Sequence, residues 1–185
     1  MESNNTRIAV LYATAQGSCR DIAEFIAAHL IARGARVELA EVEHAPELEL
    51  FDAVVFGSAV HDRALLPEAD AYLRTHRDAL TSRPVWLFSV GIGPSLRGPI
   101  GRRLARIVPP DVAEIREMIS PRAYRAFAGY CSRADLPVPS RVVYRLIGGA
   151  RYGDLRDWDQ IRDWTDNLAD ELGLPSTDSE KAPQS

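Results

Sequence analysis

Three stretches of the chain are apolar at nearly every position: RIAVLY at Arg7–Tyr12, DAVVFGS at Asp52–Ser58 and PVWLFSVGIG at Pro84–Gly93. A strand with one wetted face alternates polar and apolar residues, whereas a strand buried on both faces does not. Runs of this kind predict central strands of a sheet covered by helices on both sides. Two more strands complete a set of five. ARVELAEV (Ala35–Val42) alternates, as an outer strand does, and YRAFAGY (Tyr124–Tyr130) is the last.

Between the strands the period changes. From Ser18 to Arg33 the apolar residues Ile22, Phe25, Ile26 and Ile31 fall at helical spacing, and Gly34 stops the pattern. Leu66–Leu80 reads as one helix with Pro67 in its first turn. Another helix is expected from Pro99 to Ile107, stopped by Pro109 and Pro110. The last runs from about Asp157 to Leu172, with Trp158, Ile161, Trp164, Leu168 and Leu172 on one side. Strands alternating with helices specify an α/β fold. Right-handed crossovers and short connections then favour a doubly wound, five-stranded parallel sheet in the order 2-1-3-4-5. One domain is expected over residues 1–174, with a polar, disordered tail over 175–185.

Composition narrows the class. No apolar run is long enough to span a bilayer, and MESNNTR lacks the basic and apolar segments of a signal peptide. Cys19 and Cys131 are too few for a disulfide framework, and the histidines and cysteines show no metal-site spacing. A cytoplasmic protein is expected. The net charge of −4 is unevenly spread: Arg97–Arg156 holds 12 Arg against 5 acidic residues, a local +7. Lys181 is the single lysine, so the basic character is that of guanidinium, which suits planar carboxylate or phosphate groups. Neither a recognition helix nor aromatic–basic interleaving is present, so nucleic acid is not an expected partner. Nothing in the sequence specifies an oligomer.

In an open parallel sheet, ligands bind beyond the C-terminal strand ends where the winding reverses, here between the first and third strands. The first loop, Ala13–Cys19, carries the hydroxyls of Thr14 and Ser18, a turn at Gly17, and a helix start whose free amides favour an anion. It lacks Gly-x-Gly-x-x-Gly and Gly-Lys-Ser/Thr, which points away from dinucleotides and nucleoside triphosphates toward a phosphate monoester. Two more small-residue loops follow: Gly57–Arg63 after the third strand and Ser89–Ser95 after the fourth. Such loops can bring backbone amides against a flat ring. Cys19 reads as a small packed residue, and Asp154-Leu155-Arg156-Asp157 as the charged cap of the last helix.

The segment CSRADLPVPSRVVYRLIGGARYGDLRDW exceeds an ordinary strand–helix link of about 2–6 residues. Within it, Ser140 can cap a short helix with Val142, Val143, Leu146 and Ile147, closed by Gly148-Gly149.

VLYATAQGSC, FDAVVFGSAVHDR, LFSVGI, FAGY and GDLRDWDQIRDW, in this order and spacing, resemble the flavodoxin-like fold, and within it the menaquinone-dependent protoporphyrinogen oxidase family. The resemblance implies FMN. Its phosphate would lie on Thr14, Ala15, Gln16, Gly17, Ser18 and Cys19. Its ring would lie between Gly57, Ser58, Ala59, Val60 and His61 on one side and Ser89, Val90, Gly91, Ile92 and Gly93 on the other. His61 is either a ring contact or an exposed loop histidine. The family's phosphate loop usually begins with Ser or Thr and ends with Thr, where this chain has Ala13 and Cys19; each missing hydroxyl is worth about 0.5–1.5 kcal/mol. The resemblance also implies a small-molecule redox substrate, such as an anionic porphyrin, with a quinone acceptor. Arg133, Arg141, Arg145 and Arg151 of the Ser132–Gly153 insertion are the residues expected to meet that substrate or an anionic membrane surface. A deazaflavin coenzyme in place of FMN, a flavodoxin-type electron carrier, and a cofactor-free partner-binding module are the competing readings.

Overall fold

A computed structural model describes residues 6–131, 144–146, 149 and 152–176. Strand β1 (Arg7–Ala13) sits between β2 (Arg36–Glu41) and β3 (Ala53–His61), parallel to both. Ile8, Ala9, Val10 and Leu11 are completely buried, which is why the apolar run does not alternate. Next to β3 lie β5 (Val85–Gly91) and β6 (Ala123–Ala128), again parallel. The order β2-β1-β3-β5-β6 is the expected five-strand order. The two-residue strand β4 (Ala64–Leu65) is an addition, paired antiparallel to the end of β3.

Helices cover both faces. Helix α1 (Ser18–Ala32) and the last helix, α6 (Trp158–Glu171), enclose one core with Val10, Val55, Trp86 and Phe88. The other face holds α2 (Pro67–Thr75), α3 (Arg77–Thr81) and α5 (Pro110–Ile119) over Leu11, Val54, Phe56 and Leu87. Helix α4 (Gly98–Ala105) follows a 3-10 turn at Gly93–Ser95.

Several expectations change. The single helix expected over Leu66–Leu80 is two, because His76 leaves helical geometry at φ −100° and ψ 19°. Pro109 and Pro110 do more than stop a helix. Pro109 is the extended N-cap residue of α5 and Pro110 its first residue, where a missing N–H costs nothing. Ile31, expected on the apolar face of α1, is exposed; Leu30 is buried instead. Of the expected tail, residues 175 and 176 are described, and the Pro175 carbonyl accepts a hydrogen bond from Arg33. The rest of the expected tail, 177–185, lies outside the described residues.

The α1–α6 face is closed by a buried cation. Arg33 is 3% exposed, and its guanidinium donates to Asp166 (2.7 Å), Asp170 (2.5 Å) and the Pro175 and Leu174 carbonyls. His29 joins Asp166 at 2.8 Å. Burial alone would raise the Asp166 pKa, but the hydrogen bonds from His29 and Arg33 outweigh it and hold the carboxyl below its ordinary value. A depressed folded-state pKa stabilises fully above the unfolded value near ~4 and is lost as pH falls through the folded one. Arg33→Ala is therefore expected to cost about 2–4 kcal/mol in urea unfolding at neutral pH. Asp166→Asn should flatten the decline in stability below pH ~4. A wild-type acid limb retained in that variant would show that Asp166 does not carry it.

Candidate functional site

The C-terminal ends of β1, β3, β5 and β6 converge on one mouth, and the winding reverses across β1. Gly17 ends the first loop in the left-handed region, at φ 88°, and no side chain caps α1. The first-turn amides of Ser18, Cys19 and Arg20 thus lack an intrahelical partner; Ser18 is half-buried and Arg20 exposed, whereas Cys19 is completely buried. Thr14 Oγ1 accepts a hydrogen bond from the Gly17 amide at 2.9 Å, which leaves its proton free to donate. Thr14, Gly17 and Ser18 are half-buried, and Ala15 and Gln16 exposed. Ala13 and Cys19, the two positions without the expected hydroxyl, point away from this loop into the two cores. Burial pushes the Cys19 thiol well above its ordinary pKa, so it takes no part as a thiolate.

Arg20 was not among the expected site residues. Its Nη2 lies 3.8 Å from where a Cβ on Gly17 would be, so a guanidinium stands beside the anion loop. Its i,i+3 reach back from the first helical turn was the available signal.

The second loop needs correction. Gly57 and Ser58 are interior residues of β3, paired with Tyr12 and Ala13 of β1 and with Phe88 and Ser89 of β5. A Cβ at Gly57 would come within 2.0 Å of the Phe88 ring, so this glycine admits an aromatic of the core. Ser58 accepts from the Leu66 amide and donates to the Ala59 carbonyl. Ala59 is still in the ladder, opposite Val90. Ala59 and Val60 are half-buried, and His61 is exposed at the strand end. There the chain turns back through Asp62 (φ 48°) and Arg63 (φ 68°) into β4, a two-residue hairpin with both central residues left-handed. His61 is an exposed residue beside Asp62 at 3.5 Å.

The third loop also begins later than expected. Ser89 and Val90 are buried in β5, and the Ser89 hydroxyl is bonded to that of Tyr124 at 2.8 Å. Gly91 packs toward Val60, and its carbonyl accepts from Gly129. Ile92 and Gly93 are the members that remain at the surface of the mouth.

A fourth segment, unexpected from sequence, closes the mouth on its β6 side. Gly129 is pressed between strand end and helix start: a Cβ there would lie 2.9 Å from Val90 Cγ1 and 3.4 Å from Ser18 Cβ. Its carbonyl accepts from Leu155, and the next amide, Tyr130, donates to Ser18 Oγ at 3.0 Å. Tyr130, about half exposed, is the aromatic residue fastened to the anion loop. The FAGY ending of the fifth strand was its sequence signal. Beyond it, β7 (Tyr130–Cys131) pairs antiparallel with β8 (Gly153–Asp154) and pinches the base of the insertion. Arg156 then joins Asp154 to Asp21 of α1, and Asp157 caps α6 through the Gln160 amide, as the sequence suggested.

Of the four insertion arginines, Arg145 is exposed; Arg133, Arg141, Arg151 and the Ser140 cap lie outside the described residues. A cavity of about 1110 Å³ runs along the free edge of β6, lined by Leu96, Arg125, Ala128, Leu155 and Trp158 among others. Its lining takes in Pro94 and Ser95 of the third loop and Ala128 at the end of β6, so it opens beside the mouth; Arg97 and Arg106 line it together with Asp154, Asp157 and Asp159. Among the described residues no helix is long and apolar enough to cross a membrane.

The order of strands, the reversal at β1 and the left-handed glycine before an uncapped helix define a flavodoxin-like fold. The flavodoxin domain family matches residues 9–149, and the protein belongs to that family. No curated protein matches the sequence. A flavodoxin from the domain Archaea aligns with a TM-score of 0.54 at 14% identity, over 91% of this chain and 99% of that one. A cysteine-to-serine variant of the flavodoxin from Pseudomonas aeruginosa gives 0.55 at 15%, over 91% and 99%. The rubredoxin oxygen:oxidoreductase of Desulfovibrio gigas gives 0.58 at 15%, over 93% of this chain but 37% of that one, so this chain spans little more than a third of that protein. At such identities the likeness is one of fold. The family match extends to flavodoxin domains in general and does not single out the protoporphyrinogen oxidases.

Gly129→Ala is expected to force Val90 and Ser18 apart and to cost about 1–3 kcal/mol. Amide exchange at Tyr130 should accelerate in that variant. Unchanged exchange there would show that the strap does not depend on the close approach.

Proposed function

We propose that the protein is an FMN-binding redox protein. The observation that carries this reading is the first loop: a left-handed Gly17 before an uncapped 15-residue helix, at the strand where the winding reverses. The residues present fit the cofactor. The first-turn amides, the Thr14 and Ser18 hydroxyls and the Arg20 guanidinium supply donors for a phosphate dianion. Val60 and His61 on one side, and Ile92 with Gly93 on the other, form the rim for a flat ring, with Tyr130 exposed beside the phosphate loop. When bound, the flavin supplies the electron or hydride chemistry. The chain's own part is to hold the phosphate, orient the ring edge and limit water at the rim. No side chain at the mouth is needed as an acid or base for that exchange.

The resemblance to protoporphyrinogen oxidases makes an anionic tetrapyrrole, with a quinone acceptor, the first substrate to try. Arg145, exposed and next in sequence to Tyr144, which packs on Leu96 and Cys131, supports an anionic substrate in this reading.

The test compares FMN with riboflavin by flavin fluorescence titration. FMN should bind at least about tenfold more tightly, since charge-assisted hydrogen bonds to the phosphate are worth about 1.5–3 kcal/mol each. Arg20→Ala and Thr14→Val should weaken FMN and leave riboflavin unchanged. Equal binding of the two flavins, or none of either, would sink the reading; binding of a deazaflavin coenzyme alone would replace it.

A further inference from the structure

The basic bias of the sequence takes a spatial form around α4. No Asp or Glu occurs from Ala79 to Pro110, while Arg97, Arg102, Arg103 and Arg106 all fall there and all are exposed. Among the described residues, arginine ion pairs engage Arg20, Arg33, Arg74, Arg156 and Arg162, and none of these four. Two isoleucines lie open among them: Ile100 is 63% exposed and Ile107 53%. Ile100 and Arg103 are three residues apart on α4 and so share a face.

This surface adjoins the mouth. The 3-10 turn Gly93–Ser95 leads from the third loop directly into Arg97 and α4, and Ile92 at the rim is itself exposed. Tyr144 is buried against Leu96 and Cys131, which sets the exposed Arg145 and Leu146 on the same flank. Unpaired guanidiniums around isolated aliphatic side chains have the make-up of a transient protein interface, in which Arg is enriched and complementary charge steers encounter. The apolar residues are single and separated, so they offer no continuous face to sink into lipid.

We propose that the α4 surface docks an acidic electron-carrier protein. Carboxylates of that partner meet Arg102 and Arg103 as planar pairs, with Arg97 and Arg106, which line the β6 cavity together with Asp154, Asp157 and Asp159, at the margin, and Ile92 and Ile100 are covered at the centre. The inference rests on the FMN reading for its purpose, because a carrier seated on α4 lies against the rim where the ring would sit. It also fixes the sign of the partner's charge, which that reading leaves open.

The experiment titrates the protein, with and without added FMN, with a small acidic iron–sulfur ferredoxin by calorimetry at low and at physiological salt. Binding is expected at low salt and should weaken by about tenfold or more at physiological salt. Arg102→Glu/Arg103→Glu should weaken it by at least about tenfold again. Arg36→Glu/Arg77→Glu, the same charge change at the other end of the sheet, should leave affinity within about threefold. Absent binding overturns the proposal, as does an equal loss in both variants, which would mean net charge alone. Failure to bind ferredoxin, with binding instead to phosphatidylglycerol vesicles that is lost in Arg102→Glu/Arg103→Glu, also overturns it and assigns the surface to lipid. Circular dichroism melts establish that both variants fold. Docking is read without flavin, so a protein that docks the ferredoxin but refuses FMN would lose the redox reading while keeping this interface.

Discussion

Strand β1 is held in parallel on both sides, by β2 and by β3, with no exposure on either face over Ile8–Leu11. Everything else in the molecule answers to that placement. Parallel neighbours need crossovers, and crossovers are right-handed. Going from β1 outward to β2 and then back past β1 to β3 puts α1 on one face and the following connections on the other. The two cores divide along that line, α1 with α6 and α2, α3 with α5. The reversal leaves the β1–α1 loop flanked by no crossover on its own strand end. A helix start is thereby left between two strand ends, with no side-chain cap among the described residues.

This explains why the missing hydroxyls at Ala13 and Cys19 matter less than a motif comparison suggests. Both side chains are swallowed by the cores, so neither would have met a phosphate in this backbone. What this chain offers an anion is geometry: the turn at Gly17, the first turn of α1, and the Arg20 guanidinium beside it. A backbone site of this kind tolerates side-chain drift, because the donors are the peptide groups and not the residues that carry them.

The strands, their order and the turn at Gly17 were legible in the sequence because each rests on a strong local signal. Continuous apolar runs mark strands buried on both faces, and Gly17 marks a left-handed turn. The ends of elements were less legible. Gly57-Ser58 looks like a loop because small residues usually make one. In the fold, Gly57 is small so that Phe88 can lie across it, and Ser58 spends its hydroxyl on Leu66 and Ala59. Pro109-Pro110 reads equally as a stop and as a start, and only the packing of Val112, Ile115 and Ile119 under the sheet decides for a start. The Gly129–Tyr130 strap depends on contacts across more than 100 residues, Ser18 to Tyr130 above all, which no window of sequence displays.

That strap ties the anion loop to the insertion through one hydroxyl. Ser18 Oγ accepts from the Tyr130 amide and keeps its own proton to donate. An anion that takes this proton makes the oxygen a better acceptor, so it tightens the bond to Tyr130 and does not compete with it. Tyr130 is the first residue of β7, whose partner β8 leads through Asp154 and Arg156 to Asp21, three residues beyond Ser18. The base of the insertion is therefore clamped to the first turn of α1 at two points, one through a hydroxyl and one through an ion pair. Filling the anion site stiffens the first of these, and the second holds the flank in place whether or not the site is filled.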